Sequence, residues 1–209
     1  MMRAVARLDK RLLLASSLLL STWVAAVCRD GASPASTEIP VRSKTIDTGR
    51  STLTVRVFKA GLFSAFGHEH EINAPIRQGF FNEAQPSVEL SVDARRLRVV
   101  DQDISDKDRA EIQSTMLGPK VLDSERFPEI RFHSTQIDRP AEGKWVVLGE
   151  LTIRGQTRPV KVEVEAQAGR YRGTTELRQK DFGITPVRAG GGTVKVKNEI
   201  RIIFEIVAK

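Results

Sequence analysis

The chain has 209 residues and a formal net charge of +7; 28% of its residues are charged and 40% are hydrophobic. This length accommodates one domain with a terminal extension, and the composition is ordinary for a soluble globular protein. The basic side chains form no cluster with interleaved aromatic residues, so the composition gives no indication of a nucleic-acid partner. A single cysteine, Cys28, excludes an intramolecular disulfide.

The first 27 residues have the layout of a secretory signal peptide. Four basic residues precede the uncharged block LLLASSLLLSTWVAAV at 12–27. We therefore expect a periplasmic or secreted protein, whose remaining 29 basic and 25 acidic residues give a net charge of +4. A retained membrane anchor and a lipoprotein attached through Cys28 are the alternatives. Residues 28–43 are predicted to form a flexible linker, followed by a single domain at 44–209.

Beyond the linker, apolar residues alternate with polar ones at every second position. The stretches STLTVRVFK at 51–59 and PVKVEVEAQ at 159–167 are clear examples. Strict alternation indicates half-buried antiparallel strands. We count eight strands, including a short one around 70–82, separated by turns that contain glycine or proline. Regular strands joined by short turns are typical of a sandwich or a barrel.

One segment interrupts the strand pattern. Residues 104–119, ISDKDRAEIQSTMLGP, predict a helix with Ser105 as the N-cap and Gly118 at its end. The helix is an insertion between strands, and it is long enough to cover one end of a barrel.

The residues predicted to face the interior are apolar along every major strand. They are Leu53, Val55, Val57, Leu90, Val92, Ile130, Phe132, Trp145, Val147, Ile200, Ile202 and Phe204. The pattern alone leaves open whether this interior is a packed core or a cavity for a long apolar molecule.

Two histidines, His68 and His70, lie one residue apart in the stretch GHEHEI. In an extended chain they would share a face, and two imidazoles can bind Zn²⁺ or Cu²⁺ when a third ligand is supplied. The remaining histidine, His133, alternates with apolar neighbours and is predicted to face solvent. A metal site at His68 and His70 and a polar rim at the same place are both compatible with the sequence.

Motifs for catalysis are missing from the sequence. The tripeptide DFG at 181–183 has none of the other kinase elements beside it. There is no Gly-x-Ser-x-Gly motif, no phosphate-binding loop, and no serine–histidine–aspartate set that can be assembled from the chain. We therefore expect a protein that is not an enzyme.

Three stretches resemble the YceI-like proteins, the bacterial polyisoprenoid-binding family. They are VLDSERFPEIRFHSTQI at 121–137, LGELTIRGQTRPVKVEVEA at 148–166 and KDFGI at 180–184. Their order and spacing also match, and the resemblance covers roughly residues 45–207. It implies an all-β, antiparallel, eight-stranded lipocalin-like barrel with a short helical insertion near one end. It also implies an exported protein that binds or carries a long apolar or amphiphilic molecule, a polyisoprenoid or related lipid, without catalysis.

The resemblance directs the choice of site residues. Three residues, His68, His70 and Arg77, are predicted to form the rim of the barrel and to orient a polar head group, with the helix as a lid. The predicted lumen residues are Val55, Val57, Phe66, Leu90, Val92, Phe132, Trp145, Phe182, Ile202 and Phe204.

The expected partner is one small apolar or amphiphilic ligand, with an isoprenoid lipid as the bound molecule and no required cofactor. A transient membrane contact and a homodimer are left open. Two alternative functions also remain: a periplasmic metal-binding protein that uses His68 and His70, and a packed barrel that acts through its surface as an interaction or stress protein.

Overall fold

The computed structural model describes residues 43–60, 69–82, 85–189 and 194–209. The predicted signal peptide and the linker as far as residue 42 lie outside these ranges. The described residues form twelve strands, one α-helix and two 3₁₀ turns at Ala94–Arg96 and Gln179–Phe182. The strands are β1 Ser43–Thr45, β2 Thr52–Ala60, β3 His70–Asn73, β4 Ile76–Asn82, β5 Ser87–Asp93, β6 Arg98–Val99, β7 Glu129–Ala141, β8 Lys144–Ile153, β9 Gln156–Gln167, β10 Arg170–Arg178, β11 Arg188–Ala189 and β12 Val194–Val207; the helix is α1 Asp106–Leu117.

The strands form one sheet in the order β1-β4-β5-β7-β8-β9-β10-β12-β2-β3-β6, and β11 pairs with β12. Each pairing between described strands is antiparallel. The sheet curls back on itself: Asp47 donates its backbone N–H to the carbonyl of Val207, and Lys209 donates to that of Thr45, both at 2.8 Å. The chain at β1 is therefore bonded to β4 on one side and to the end of β12 on the other.

The prediction of an all-β antiparallel fold with a helical insertion is confirmed, but the predicted count of eight strands is wrong. The single strand expected around 70–82 is two strands, β3 and β4, separated at Ala74 and Pro75. Proline has no backbone N–H for a sheet ladder, so the strand breaks there. Three further strands, β1, β6 and β11, have only two or three residues each. Segments this short show no alternation that a sequence pattern could reveal.

Alternation places the strand faces as expected. In β2 and β12 the apolar residues Val55 and Ile202 are direct cross-strand partners, and both face the interior. The neighbouring pair, Thr54 and Ile203, therefore lies on the outer face of the same two strands. The full set of residues predicted to face inward lines the interior of the curled sheet.

The helix begins and ends where the sequence predicts. The Ser105 hydroxyl accepts a hydrogen bond from the Asp108 backbone N–H at 3.1 Å, and Gly118 donates its N–H to the Ser114 carbonyl at 3.0 Å. Such a cap satisfies one of the backbone N–H groups left without a partner in the first turn. Met116, on the inner side of α1, is buried in the apolar core. Among the described residues, no helix combines the length and the apolar character needed to cross a membrane.

Side-chain hydrogen bonds hold α1 against β6, the last strand of the sheet. Gln113 accepts from the Val99 backbone N–H and donates to the Leu97 carbonyl, both at 2.8 Å. Arg109 donates to the backbone carbonyl of Asp101 through two guanidinium nitrogens. The helix thus covers a strand edge whose backbone groups would otherwise be open to pairing with another chain.

On the outer face, Glu205 of β12 accepts hydrogen bonds from Arg172 and Arg170 of β10. These bonds, first to Arg172 and then to Arg170, hold the pKa of Glu205 below its ordinary value. Because the folded-state pKa is the lower one, the ion pairs stabilise the fold above the unfolded-state pKa, and this contribution is lost as the pH falls through the folded-state pKa.

We expect Glu205→Gln to lower the midpoint of thermal unfolding slightly at pH 7 and by less at pH 2, because the ion pairs of the wild type are lost as the pH falls through the folded-state pKa of Glu205. Circular dichroism melts at the two pH values measure the difference. Glu142→Gln, an exposed residue in the turn between β7 and β8, is the control and should change neither midpoint. An equal deficit for Glu205→Gln at both pH values would contradict an ionic origin.

Candidate binding site

The inner face of the curled sheet surrounds a cavity of about 260 Å³. Several side chains that face inward, such as Val55, Leu90 and Ile202, are only half-buried, which means that space large enough for water lies beside them. A fully packed interior would leave no such space. The interior is therefore hollow.

The cavity wall is apolar along nearly its whole length. Only four residues in the wall carry a polar side-chain group: Trp145, Tyr171, Thr175 and Gln179. The Thr175 hydroxyl donates to the Lys161 carbonyl at 3.1 Å, and the Gln179 amide donates to the Lys197 carbonyl at 2.7 Å. These donors are engaged by the protein, so the wall offers an apolar guest little competition from unsatisfied polar groups.

The cavity is long relative to its volume. Trp145 and Ile153, at opposite ends of β8, both line it. Eight residues of strand span about 26 Å at roughly 3.3 Å per residue. A volume of about 260 Å³ distributed over such a length describes a narrow space.

The structure places nine of the ten predicted lumen residues in this wall, while Phe66 lies outside the described residues. Whether these side chains contact a ligand stays a prediction. Those in the wall are Val55, Val57, Leu90, Val92, Phe132, Trp145, Phe182, Ile202 and Phe204.

The end of the cavity beside α1 is closed by a packed cluster. Met116 of α1, Val99 of β6 with its neighbour Leu97, and Phe182 and Ile184 after β10 are all buried there. Phe182 is 2% exposed, and it belongs to the DFG tripeptide, whose role is therefore structural packing. This cluster and the hydrogen bonds of α1 give that end a fixed apolar floor.

The other end of the cavity is narrowed by three aromatic rings. The centroids of Phe81, Trp145 and Tyr171 lie 5.2–5.5 Å apart. Phe81 lies on β4, and at least three strand spacings separate β4 from the strands that carry the other two rings. Three spacings correspond to about 14 Å along the sheet. The rings therefore meet across the interior. Arg139 lies over the Trp145 ring, 4.5 Å from its centroid.

Sequence analysis missed two members of this aromatic group, Phe81 and Tyr171, as well as the polar wall residues Thr175 and Gln179. The alternation of β10 could have indicated Tyr171 and Thr175, because they share a face with Leu177. Nothing in the sequence indicates that Phe81 meets rings from distant strands.

The two predicted rim residues that the structure describes, His70 and Arg77, do not line the cavity. His68 lies outside the described residues. Arg77 is exposed on β4. The pKa of Asp93 is lowered mainly by the side-chain hydrogen bond from Arg95, and the charge of Arg77 adds to this effect. The side chain of His70 is 14% exposed, and its Nδ1 lies 2.6 Å from Oδ2 of Asp101. The rim role stays a prediction for these residues.

Asp101 connects three parts of the chain. Its carboxylate contacts His70 and accepts the Glu71 backbone N–H at 2.6 Å, while its carbonyl accepts from Arg109 of α1. Its side chain is 4% exposed. The His70–Asp101 pair therefore joins β3 to the segment that leads into the helix.

We expect Asp101→Ala to lower the free energy of unfolding by about 1–3 kcal/mol, because it leaves the partly buried Glu71 N–H and the His70 ring without their acceptor. Urea unfolding followed by circular dichroism measures this loss. Asp103→Ala, two residues away and exposed, is the matched control and should change the free energy of unfolding by less than about 0.5 kcal/mol. Equal effects from the two variants would show that the Asp101 contacts do not stabilise the fold.

The part of the chain that the structure describes contains no group of three or more histidine, cysteine, aspartate or glutamate residues placed to hold a metal ion. His133 is exposed on β7, as its alternation predicts, and its Nε2 lies 3.8 Å from Glu150. The proposed metal ligand His68 is outside the described residues. Metal binding at His68 and His70 thus stays a prediction without a supporting contact.

Residues 44–208 match the sequence model of the YceI-like domain. A UPF0312 protein of Vibrio cholerae serotype O1 is 31% identical over 113 residues, which are 49% of this chain and 56% of the relative. A UPF0312 protein of Shewanella oneidensis is 27% identical over 152 residues, 66% of this chain and 75% of the relative. The chain spans about half the length of the Vibrio cholerae relative and three quarters of the Shewanella oneidensis relative.

Two solved structures share the fold. BcnA of Burkholderia cenocepacia has a TM-score of 0.58 at 21% identity, and the match covers 78% of this chain and 99% of that one. A domain of Saccharophagus degradans, described as polyisoprenoid-binding and implicated in plant cell wall breakdown, has a TM-score of 0.55 at 10% identity over 79% of this chain and 97% of that one. Likeness at these identities concerns the fold alone.

Proposed function

Since this chain belongs to the YceI-like domain family, we propose that it is an exported binding protein that holds one long, slender apolar or amphiphilic molecule inside its curled sheet. The observation that carries the proposal is the apolar cavity of about 260 Å³. A hollow interior lined by apolar side chains is unfavourable unless it is filled, because the wall loses the contacts that a packed core would make.

The wall supplies the free energy for binding. Moving apolar surface out of water contributes roughly 25 cal/mol per Å², or about 0.8 kcal/mol for each buried CH₂ group. This contribution is non-directional, so a chain of repeated apolar units can bind without a specific set of hydrogen bonds. A wall in which only four of the lining side chains carry a polar group agrees with such a ligand.

The shape of the cavity favours a chain over a compact ligand. Its volume is slightly below the roughly 300–1,000 Å³ of ordinary small-molecule sites, although its wall follows eight residues of β8. Polyisoprenoids and long acyl chains both have this slender form. The polyisoprenoid-binding description of the Saccharophagus degradans domain supports isoprenoids as the first class to test.

Export is part of the proposal and rests on the signal-like sequence at 1–27. A carrier that shields an apolar chain from water is useful in an aqueous compartment such as the periplasm. The family is one of binding proteins rather than enzymes, and the proposed role needs no catalytic group.

Titration with cis-parinaric acid, a slender polyene chain that fluoresces when it leaves water, tests the proposal. We expect saturable binding of one probe per chain and its displacement by a long-chain polyprenol. Absence of saturable binding would contradict the proposed function, and saturable binding that an excess of polyprenol does not displace would exclude a polyisoprenoid as the ligand.

A further inference from the structure

Three glycines lie within strands, at positions that alternation places on the inner face of the sheet: Gly79, Gly149 and Gly173. Glycine weakens a strand, because its backbone loses more conformational freedom and it offers no side chain to pack. Its presence inside a strand often marks a close approach by another group. Here each glycine is covered by one large side chain that also lines the cavity, respectively Ile46, Phe132 and Phe204.

The two phenylalanines come closest to the glycines with the tips of their rings. A Cβ added at Gly149 would lie 2.5 Å from Cε2 and 2.6 Å from Cζ of Phe132. A Cβ added at Gly173 would lie 2.5 Å from Cζ of Phe204. Since real Cβ atoms do not approach other carbons so closely, only glycine lets these rings lie there.

Each ring therefore leans along the wall, with its tip over a neighbouring strand, and does not project across the cavity. A side chain at Gly149 or Gly173 would meet the ring and also a backbone carbonyl oxygen of the neighbouring strand, that of His133 or Glu163, at 2.5 Å. The ring, the strand or both would have to shift. On the inner side, the space available to a displaced ring is the cavity itself. A bulky residue at either position thus converts a hollow interior into a filled one.

The two glycine–phenylalanine pairs lie at different heights. Gly149 pairs with Val160 of β9, whereas Gly173 pairs with Val164 of the same strand. Four residues of strand correspond to about 13 Å. The two pairs therefore lie at two levels of the cavity. The Gly173–Phe204 pair is at the level of Trp145, because Trp145 also pairs with Val164.

We infer that Gly149 and Gly173, with Phe132 and Phe204 lying over them, determine the internal width of the cavity. This width selects a slender chain against a wider ligand such as a fused-ring sterol. This inference rests on the proposed function and specifies it further. The glycines keep the rings out of the path of the ligand, and the rings leave a passage of limited width.

The test compares cis-parinaric acid with dehydroergosterol, a fluorescent fused-ring sterol, on the purified exported protein. We expect wild-type protein to bind the chain at least about tenfold more tightly than the sterol. Phe132→Ala and Phe204→Ala remove a ring and should reduce that preference about tenfold. Gly173→Ala should weaken chain binding about tenfold, and the double variant Gly173→Ala/Phe204→Ala should recover most of it.

Gly173→Ala also brings its Cβ to 2.5 Å from the Glu163 carbonyl oxygen, so this variant can fail to fold. The two phenylalanine variants leave the glycines unchanged and keep the test decisive; circular dichroism verifies that each variant is folded. A wild type that binds sterol as well as the chain, or a preference that neither phenylalanine variant changes, would overturn this inference alone. A wild type that binds neither probe would overturn the proposed function together with it.

Discussion

Filling the cavity by the double substitution Val55→Phe/Ile202→Phe is expected to weaken binding of cis-parinaric acid at least about tenfold, equivalent to about 1.4 kcal/mol. The two residues are cross-strand partners on β2 and β12, and both face the hollow interior. Two additional rings at this point occupy the volume that the ligand needs. Because the space already exists, the change should cost little stability, in contrast to the overpacking of a filled core.

The adjacent pair on the same strands provides the matched control. Thr54→Phe/Ile203→Phe adds the same two rings at the next cross-strand position, on the outer face. It should bind the probe as the wild type does. Equal loss of binding in both double variants would place the ligand outside the cavity, and unchanged binding in the Val55/Ile202 variant would do the same.

The second large effect concerns stability. Phe182→Ala is expected to lower the free energy of unfolding by about 3–5 kcal/mol, because it removes a ring from the packed cluster beside α1. Phe182 is 2% exposed and contributes to the floor of the cavity. Urea unfolding followed by circular dichroism measures the change.

Phe80→Ala is the control for this variant, since Phe80 of β4 is 44% exposed. It should change the free energy of unfolding by less than about 1 kcal/mol. A small effect from Phe182→Ala would mean that the neighbouring side chains relax into the space, and the cluster would then not be a fixed floor.

Strand faces could be predicted from sequence because alternation has a period of two and each strand buries one face. Val55, Leu90 and Ile202 were placed correctly on that basis alone. The predicted number of strands was wrong where this information is absent, since β6 and β11 have two residues each and Pro75 divides the stretch 70–82 into two strands.

The features that make the interior hollow were harder to predict. The contact of Phe81 with Trp145 and Tyr171 depends on the curvature of the whole sheet, which no local pattern encodes. Gly149, by contrast, was visible as a glycine two residues after Val147, one of the positions predicted to face the interior. A glycine there indicates close approach by another group, but the sequence does not identify that group as Phe132.

The prediction of rim residues depended on which face of the sheet each side chain lies on, at positions where the strands are irregular. Arg77 lies where the pairing of β4 with β5 shifts register, between Ile76 and Gln78, so alternation does not determine its direction. His70 was assigned from its neighbour His68, whereas its contact in the structure is Asp101, 31 residues away in sequence.

Native mass spectrometry tests the central claim most directly, on protein exported by its own host and purified without detergent. A cavity that carries a chain predicts a species heavier than the polypeptide by one long-chain amphiphile. The same purification of the Val55→Phe/Ile202→Phe variant should give the polypeptide mass alone. Equal amounts of chain lipid on the two proteins, or none on either, would contradict a ligand held inside the sheet.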